Sequence, residues 1–503
     1  MRRRLTATLA ATGARLFGHQ ELKQSYHKVF DPNIKLRSYK SRLAYMCMSA
    51  AHSLGLLADL QSSYLAQLPL VPAAAPPNHI YDRDFLNLRL NRVYDLPEIE
   101  IDERRPQTIN VLVPAFDFKS ISAGFFGVFQ MALFLRKTGV NVRLVMFDNF
   151  YFNLSEFKEK LLKYPGMERI FDELEVEYIG ERRAPLRLSK YDYAVATVWY
   201  SAYFAEKIQA VTENEKFIYL IQDYETLFYP ANSLHAVADR TYSMKYNAIF
   251  SSESLMNFFV LGDVGGIRSR GLSYTFFNNA CSANLLPKDV FIQRNRAKKK
   301  KKIVFYSRPV VDRNMFELTA LALATAFRRG IFDPEEWECV GMGLGEGVVE
   351  LLPSVRSVSL PRMDLSTYIE EVSSFDICLT LMASPHPSMI PMDLAGSGSV
   401  VVTNTFKTKT EEYLKALSKN IIPAQPGLNE IVAALEVAKA KCLNLEDRYN
   451  FAKSMKYPRD WNQSLTPRHL SFFNRHLRVR VDQETRGRRV RAGTGTGRNL
   501  KAS

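Results

Sequence analysis

A chain of 503 residues is longer than one hydrophobic core normally organises, so two domains with extensions are expected. Hydrophobic residues at 47% and charged residues at 24% exclude global disorder. The net charge of +15 admits a nucleic acid, an anionic membrane or a phosphate-bearing substrate, and both ends, MRRRLTATLAATGARLFG and RGRRVRAGTGTGRNLKAS, are basic and free of acid.

Residues 1–90 read as a basic, partly helical extension and linker. The apolar part of the opening, LTATLAATGA, is short and weakly hydrophobic, which suits a surface-seeking segment better than a signal peptide. The run 44–60, AYMCMSAAHSLGLLADL, is too short for a membrane span and carries His52 and Asp59, so a packed helix is expected. LPLVPAAAPPNH (68–79) is composed as a linker.

The span 91–295 reads as a first α/β domain. INVLVPAFDF (109–118) is a strand, FFGVFQMALFLRKTG is helical, and NVRLVMFD (141–148) is the next strand, which together make a βαβ unit. Strands EVEYIG, YDYAVATVW, KFIYLIQDYE and NAIFSS continue a largely parallel sheet. IQRNRAKKKKK (292–302) reads as a charged linker, and 296–456 as a second α/β domain that begins with KIVFYSRP and runs through WECVGMG, DICLTLM and SVVVTN. An amphipathic aromatic segment, 457–480, is expected to form a helix packing back on the domains, ahead of a disordered basic tail, 481–503.

In open α/β sheets ligands bind beyond the carboxyl ends of the strands. Arg308 and Arg313, in SRPVVDRN, lie where a helix N-terminus and guanidinium forks can hold a diphosphate; the competing reading is a solvated loop. Arg362 ends a strand ahead of Asp364, which reads as a helix N-cap. In MASPHPSMIPMDLAGSG (382–398), Asp393 is placed to accept ribose hydroxyls. Ser384 joins the donor loop, and His386, between two prolines, reads as loop-shaping more readily than as catalytic. In the first domain Gly124 and Gly127 allow close backbone approach, although SISAGFFG is not a dinucleotide fingerprint. Asp223, Tyr224 and Glu225 combine carboxylates with an aromatic face, as a sugar site does; an aromatic loop at the domain interface is the alternative.

Together, INVLVPAFDFKSISAGFFG, YLIQDYETLFYP, FYSRPVVDRNMFEL and LTLMASPHPSMIPMDLAGSGSVVVTN resemble the rhamnosyltransferases of bacterial S-layer glycan assembly, over about 109–465. That family has the GT-B fold, two Rossmann-like domains facing a cleft, and stands beside the GT4 transferases. The resemblance implies transfer of rhamnose or another deoxyhexose from a dTDP-sugar bound by the second domain to a glycan acceptor on the first, in cell-surface polysaccharide synthesis. With no metal-ligand cluster such as DxD in a suitable loop, metal-independent transfer without a cofactor is the simpler expectation. It matches the family's arginine to Arg308, a lysine to Arg362 and a glutamate to Asp393, while Pro385 stands where GT4 enzymes place a first glutamate.

Arg308 and Arg362 are accordingly the expected catalytic cations. A catalytically silent nucleotide-sugar- or glycan-binding protein is the alternative function. Five scattered cysteines without a CxxC pair suggest a reduced, cytoplasmic protein. Its basic ends suit an anionic membrane face, where a lipid-linked acceptor would be met, and no nucleic-acid motif accompanies the charge.

Overall fold

In a computed structural model the described residues are 90–116, 123–164, 166–282, 285–343, 347–361 and 363–477. The readings made for residues 1–89, and for the tail beyond 477, lie outside them.

Sixteen strands are described: β1 (Ile99–Ile101), β2 (Thr108–Val113), β3 (Asn141–Met146), β4 (Glu175–Tyr178), β5 (Leu186–Leu188), β6 (Tyr193–Ala196), β7 (Phe217–Ile221), β8 (Tyr246–Phe250), β9 (Tyr274–Phe276), β10 (Lys301–Ser307), β11 (Trp337–Gly343), β12 (Gly347–Leu352), β13 (Val355–Ser359), β14 (Ile377–Thr380), β15 (Val400–Asn404) and β16 (Ile421–Ala424). They form two seven-stranded sheets, ordered β4-β3-β2-β6-β7-β8-β9 and β12-β13-β11-β10-β14-β15-β16, and a two-stranded parallel ribbon, β1-β5. Every pairing is parallel except the hairpin of β12 and β13 at the edge of the second sheet.

Helices cover both faces of each sheet, which is why the central strands are near-continuous apolar runs. In β2, Ile109, Val111 and Val113 enter the core beneath the helix Ala123–Leu135, while Leu112 enters the opposite core beneath the helix Trp199–Val211. The second sheet repeats the division, with Ile303 and Phe305 on one face and Val304 on the other. These are the two Rossmann-like lobes of the GT-B fold. Strand order reverses between β2 and β6 in the first lobe and between β10 and β14 in the second, so each lobe has a crevice at the carboxyl ends of those strands.

The lysine-rich segment read as a linker is built into the second lobe. The helix Lys288–Arg296 buries Phe291, which packs 5.8 Å from the Tyr449 ring and against Gly398. Gly398 has φ +96°, and a Cβ there would lie 2.6 Å from the Phe291 ring. Lys298 is ion-paired with buried Asp376 at 3.0 Å, and Arg448 donates to the same carboxylate at 2.9 Å. A run of lysines marks solvent only when no acid is folded onto it, and Asp376, 78 residues away, supplies one. Lys301 and Lys302 then belong to β10.

After the second lobe the chain crosses back. The helix Pro467–His476 inserts Phe472 and Phe473 into the first lobe's core, with Phe473 6.3 Å from Phe134 and His469 Nε2 2.7 Å from the Phe276 carbonyl. Phe473 is fully buried, so Phe473→Ala should cost about 3–5 kcal/mol of stability, measured by urea denaturation.

Candidate functional site

The second lobe's crevice gathers cations. Arg308 follows β10 directly; Nη1 donates to the Tyr306 hydroxyl at 3.1 Å, while its buried Nε has no hydrogen-bond partner. Gly343, φ +141°, leaves room for it, since a Cβ there would stand 2.9 Å from Arg308 Cγ. Arg313 sits in the 3-10 turn Asp312–Asn314, anchored by its carbonyl, which accepts from Ala383 N at 2.8 Å. Its guanidinium lies 4.1 Å over the Phe228 ring of the first lobe, and its Nε, also buried, makes no hydrogen bond. Leaving a buried donor unsatisfied costs about 1–3 kcal/mol, so two such atoms in one crevice mark a place where an acceptor belongs.

Lys409 is a third cation, missed in the sequence. It is fully buried, and its ammonium donates to the Met382 carbonyl at 2.9 Å. Burial lowers its pKa to about 7, against the opposing pull of Asp223. Nothing in FKTKT separates this lysine from Lys407; only the tight bridge pairing Phe406 with Lys409 turns it inward.

Asp223 enters this group from the first lobe, at the end of β7. It is 6% exposed; Oδ1 accepts from Tyr224 N at 2.9 Å and from the Ser384 hydroxyl, and Oδ2 lies 3.6 Å from Arg313 Nε. His386 N donates to Ser384 Oγ at 2.9 Å, and its ring Nδ1 accepts from Ser388 N at 3.0 Å. Burial lowers the His386 pKa to about 4, so at neutral pH the ring is uncharged and serves as a loop brace. The brace accommodates Ser388 at φ +67°. A second contact between lobes, Thr408 Oγ1 to the Ser254 carbonyl at 2.7 Å, flanks the group.

The structure separates other residues that the sequence grouped. Tyr224 turns into the first lobe, with its hydroxyl on Asp239 at 2.9 Å and its ring 5.1 Å from Phe258. Glu225 accepts from Trp199 N at the start of the helix Trp199–Val211 and is 7% exposed. Neither presents a face to a sugar, and both are packed within the first lobe rather than at the domain interface. Gly127 is held close to Asn279, whose Oδ1 would lie 2.8 Å from an added Cβ. Gly124 is in the same helix, beside residues 117–122, which lie outside the described residues.

Asp393 is 3% exposed, with Oδ1 accepting from Ser282 N at 2.8 Å and Oδ2 from the Tyr368 hydroxyl at 2.9 Å. It fastens the segment leading from the first lobe into the second, so a ribose would have to displace Tyr368 to reach it. Arg362 lies outside the described residues; Asp364 beside it caps its helix through Thr367 N at 2.8 Å.

Past the carboxyl ends of the first lobe's strands, Asp148 follows β3 and accepts from Ala115 N at 2.9 Å and from the Tyr200 hydroxyl at 3.1 Å. Arg92 covers it, with Nε 3.9 Å from Asp148 Oδ1 and the guanidinium 4.7 Å over the Tyr200 ring. Sequence reasoning overlooked this cluster, although the rule that directs attention past strand ends points to Asp148. Among the described residues no three His, Cys, Asp or Glu side chains are grouped to hold a metal, and no helix is long and apolar enough to cross a membrane.

Comparison with known proteins gives the following. Residues 108–253 match the family described as the WsaF N-terminal domain, and residues 301–436 that of the WsaF C-terminal domain, together more than half of the chain. The O-antigen biosynthesis protein RfbC of Myxococcus xanthus is 27% identical over 347 residues, covering 66% of this chain and 24% of that protein. The chain therefore matches about a quarter of that relative's length. Similar solved structures include sucrose-phosphate synthase of Thermosynechococcus elongatus, at 10% identity over 77% of this chain and 100% of that one with a TM-score of 0.46. HepE of Anabaena in complex with UDP-glucose is similar at 14% identity, over 76% and 99%, with a TM-score of 0.48. OtsA in its apo form is similar at 12%, over 75% and 100%, with a TM-score of 0.48.

Burial raises the Glu225 pKa to about 8, far above the value of about 4.3 for a free chain. Its protonated form is therefore favoured by folding, and that contribution is complete below about pH 4 and lost as pH rises through about 8. Thermal denaturation across this range should find Glu225→Gln, which keeps an acceptor for Trp199 N, gaining stability over the wild type as pH rises.

Proposed function

The chain belongs to the WsaF family of GT-B glycosyltransferases, both of whose domains it carries in order, and from that premise we propose that it transfers rhamnose from a dTDP-sugar to a glycan acceptor in cell-surface polysaccharide synthesis. The observation that carries the reading is the pair of buried, unsatisfied guanidinium nitrogens of Arg308 and Arg313 at the second lobe's crevice. A nucleoside diphosphate brings two negative charges and several acceptor oxygens, which is what those atoms lack. The identity of the sugar and of the base rests on the family resemblance.

In the proposed reaction the bond from the sugar's anomeric carbon to the leaving phosphate oxygen breaks, and a bond to an acceptor hydroxyl forms. The hydroxyl proton passes to the leaving phosphate, and configuration is retained. Negative charge grows on the diphosphate as the sugar becomes cation-like, so fixed guanidinium groups stabilise the transition state more than the ground state. Arg308 and Arg313 act on the departing phosphates, with Arg362 proposed beside them. No metal is required in this scheme. The acceptor is proposed to approach the first lobe's strand ends, where Asp148, Tyr200 and Arg92 offer a carboxylate, a ring and a cation, and the basic ends to rest on an anionic membrane.

One observation favours a second reading. Asp393, which stands where the resemblance expects a glutamate, is committed to Ser282 and Tyr368, so the donor contacts of an active transferase are altered and a protein that binds a nucleotide sugar without turnover is the second reading.

Incubation with dTDP-rhamnose and related donors separates the two. Sugar transfer or donor hydrolysis supports the transferase, and binding without turnover supports the silent protein. Given turnover, Arg308→Ala and Arg313→Ala should each lower kcat about 100-fold or more while leaving the fold intact by circular dichroism.

A further inference from the structure

Asp223 is the sole carboxylate within ion-pair distance of Arg313 among the described residues, and it comes from the opposite lobe. Lys409, whose ammonium donates to the Met382 carbonyl, feels the same carboxylate. The arrangement is unlike a structural ion pair. Asp223 takes the Ser384 hydroxyl and the Tyr224 amide as hydrogen bonds, yet Arg313, the strongest donor nearby, stays at 3.6 Å with its Nε unsatisfied. The guanidinium is seated on the Phe228 ring at 4.1 Å, above a backbone anchored by Ala383 N, so closing on the carboxylate would cost that stacking. One negative charge therefore faces several cations at imperfect distance, and an anion with more charge and more oxygens would satisfy them better.

We infer that Asp223 is an internal stand-in for the donor's diphosphate, a positioning residue that draws Arg313 and the Ser384–Ser388 loop to the first lobe until the donor displaces it. This rests on the reading of the crevice as a nucleotide-diphosphate site. The two interactions cannot coexist at full strength, because a diphosphate brought onto Arg313 would stand against the Asp223 carboxylate, and like charges repel across a water-poor crevice. Donor binding therefore breaks the bond between Ser384 and Asp223 and frees the first lobe's β7 loop, which makes the contact between lobes depend on the donor. Displacing Asp223 uses part of the binding free energy, so its removal strengthens nucleotide binding.

The test uses the full chain and dTDP, the nucleotide alone, as probe, with UDP in parallel. Calorimetric titration should find Asp223→Asn binding dTDP at least about fivefold more tightly than the wild type. Ser384→Ala, which keeps the carboxylate but removes its hydroxyl donor, should shift affinity in the same direction by less, and it carries the test if Asp223→Asn does not fold. Asp223→Glu, which keeps the charge, should stay closer to the wild type. In small-angle X-ray scattering without nucleotide, Asp223→Asn should have a larger radius of gyration than the wild type.

Equal or weaker dTDP binding by Asp223→Asn overturns the inference, because a residue that only builds the site cannot strengthen binding when lost. An Asp223→Glu protein that behaves as Asp223→Asn does also overturns it. If the wild type binds neither nucleotide, the donor reading itself falls, and scattering then decides for the contact between lobes: an unchanged radius in Asp223→Asn overturns it and a larger one upholds it.

Discussion

The structure turns on an imbalance of charge between two lobes. Arg313 and Lys409 on one side, with Arg308 close by at the same strand ends, face one carboxylate, Asp223, on the other. At 3.6 Å and the effective dielectric of a protein surface, Arg313 and Asp223 attract by on the order of 4 kcal/mol, and removing each ion from water costs several kcal/mol. The pair comes close to breaking even. It adds little to global stability, and it fixes where the lobes meet and which charges wait there. The arrangement persists because the flanking geometry is strong: covered parallel sheets, a crossing helix that seals the first lobe with Phe472 and Phe473, and Asp393 fastening the connecting chain to the second lobe.

Two carboxylates a residue apart from one another show how environment divides roles. Asp223 stays in the crevice because Tyr224 N and Ser384 hold it there. Glu225 is turned into the lobe, its acid form favoured by burial against the opposing pull of the Trp199 amide at a helix start. The first is free to respond to an anion from outside; the second is committed to the fold.

Much of the architecture was legible because parallel strands covered on both faces are near-continuously apolar, as in INVLV and SVVVTN, where a few polar residues interrupt or flank the run. The cations after β10 were legible for a topological reason, since ligands gather where strand order reverses. What escaped depended on partners distant in sequence. The lysines at 298–302 read as a linker because Asp376 and Arg448, which draw the segment into the second lobe, lie far along the chain. Lys409 went unremarked because nothing in FKTKT signals its burial, which comes with a local bridge to Phe406. Tyr224 and Glu225 were grouped with Asp223 by adjacency, yet the turn after β7 sends the three side chains to different places. Asp393 sat at the expected position in its helix, and its occupation by Ser282 and Tyr368 has no sequence signature.

The central claim is that the cations after β10 exist to receive a nucleoside diphosphate between the lobes. A crystal structure of the chain soaked with dTDP tests it most directly. The account predicts the diphosphate within hydrogen-bond distance of Arg308 and Arg313, with Ser384 released from Asp223. A nucleotide seated away from the carboxyl end of β10, with Arg313 still facing Asp223, would contradict it.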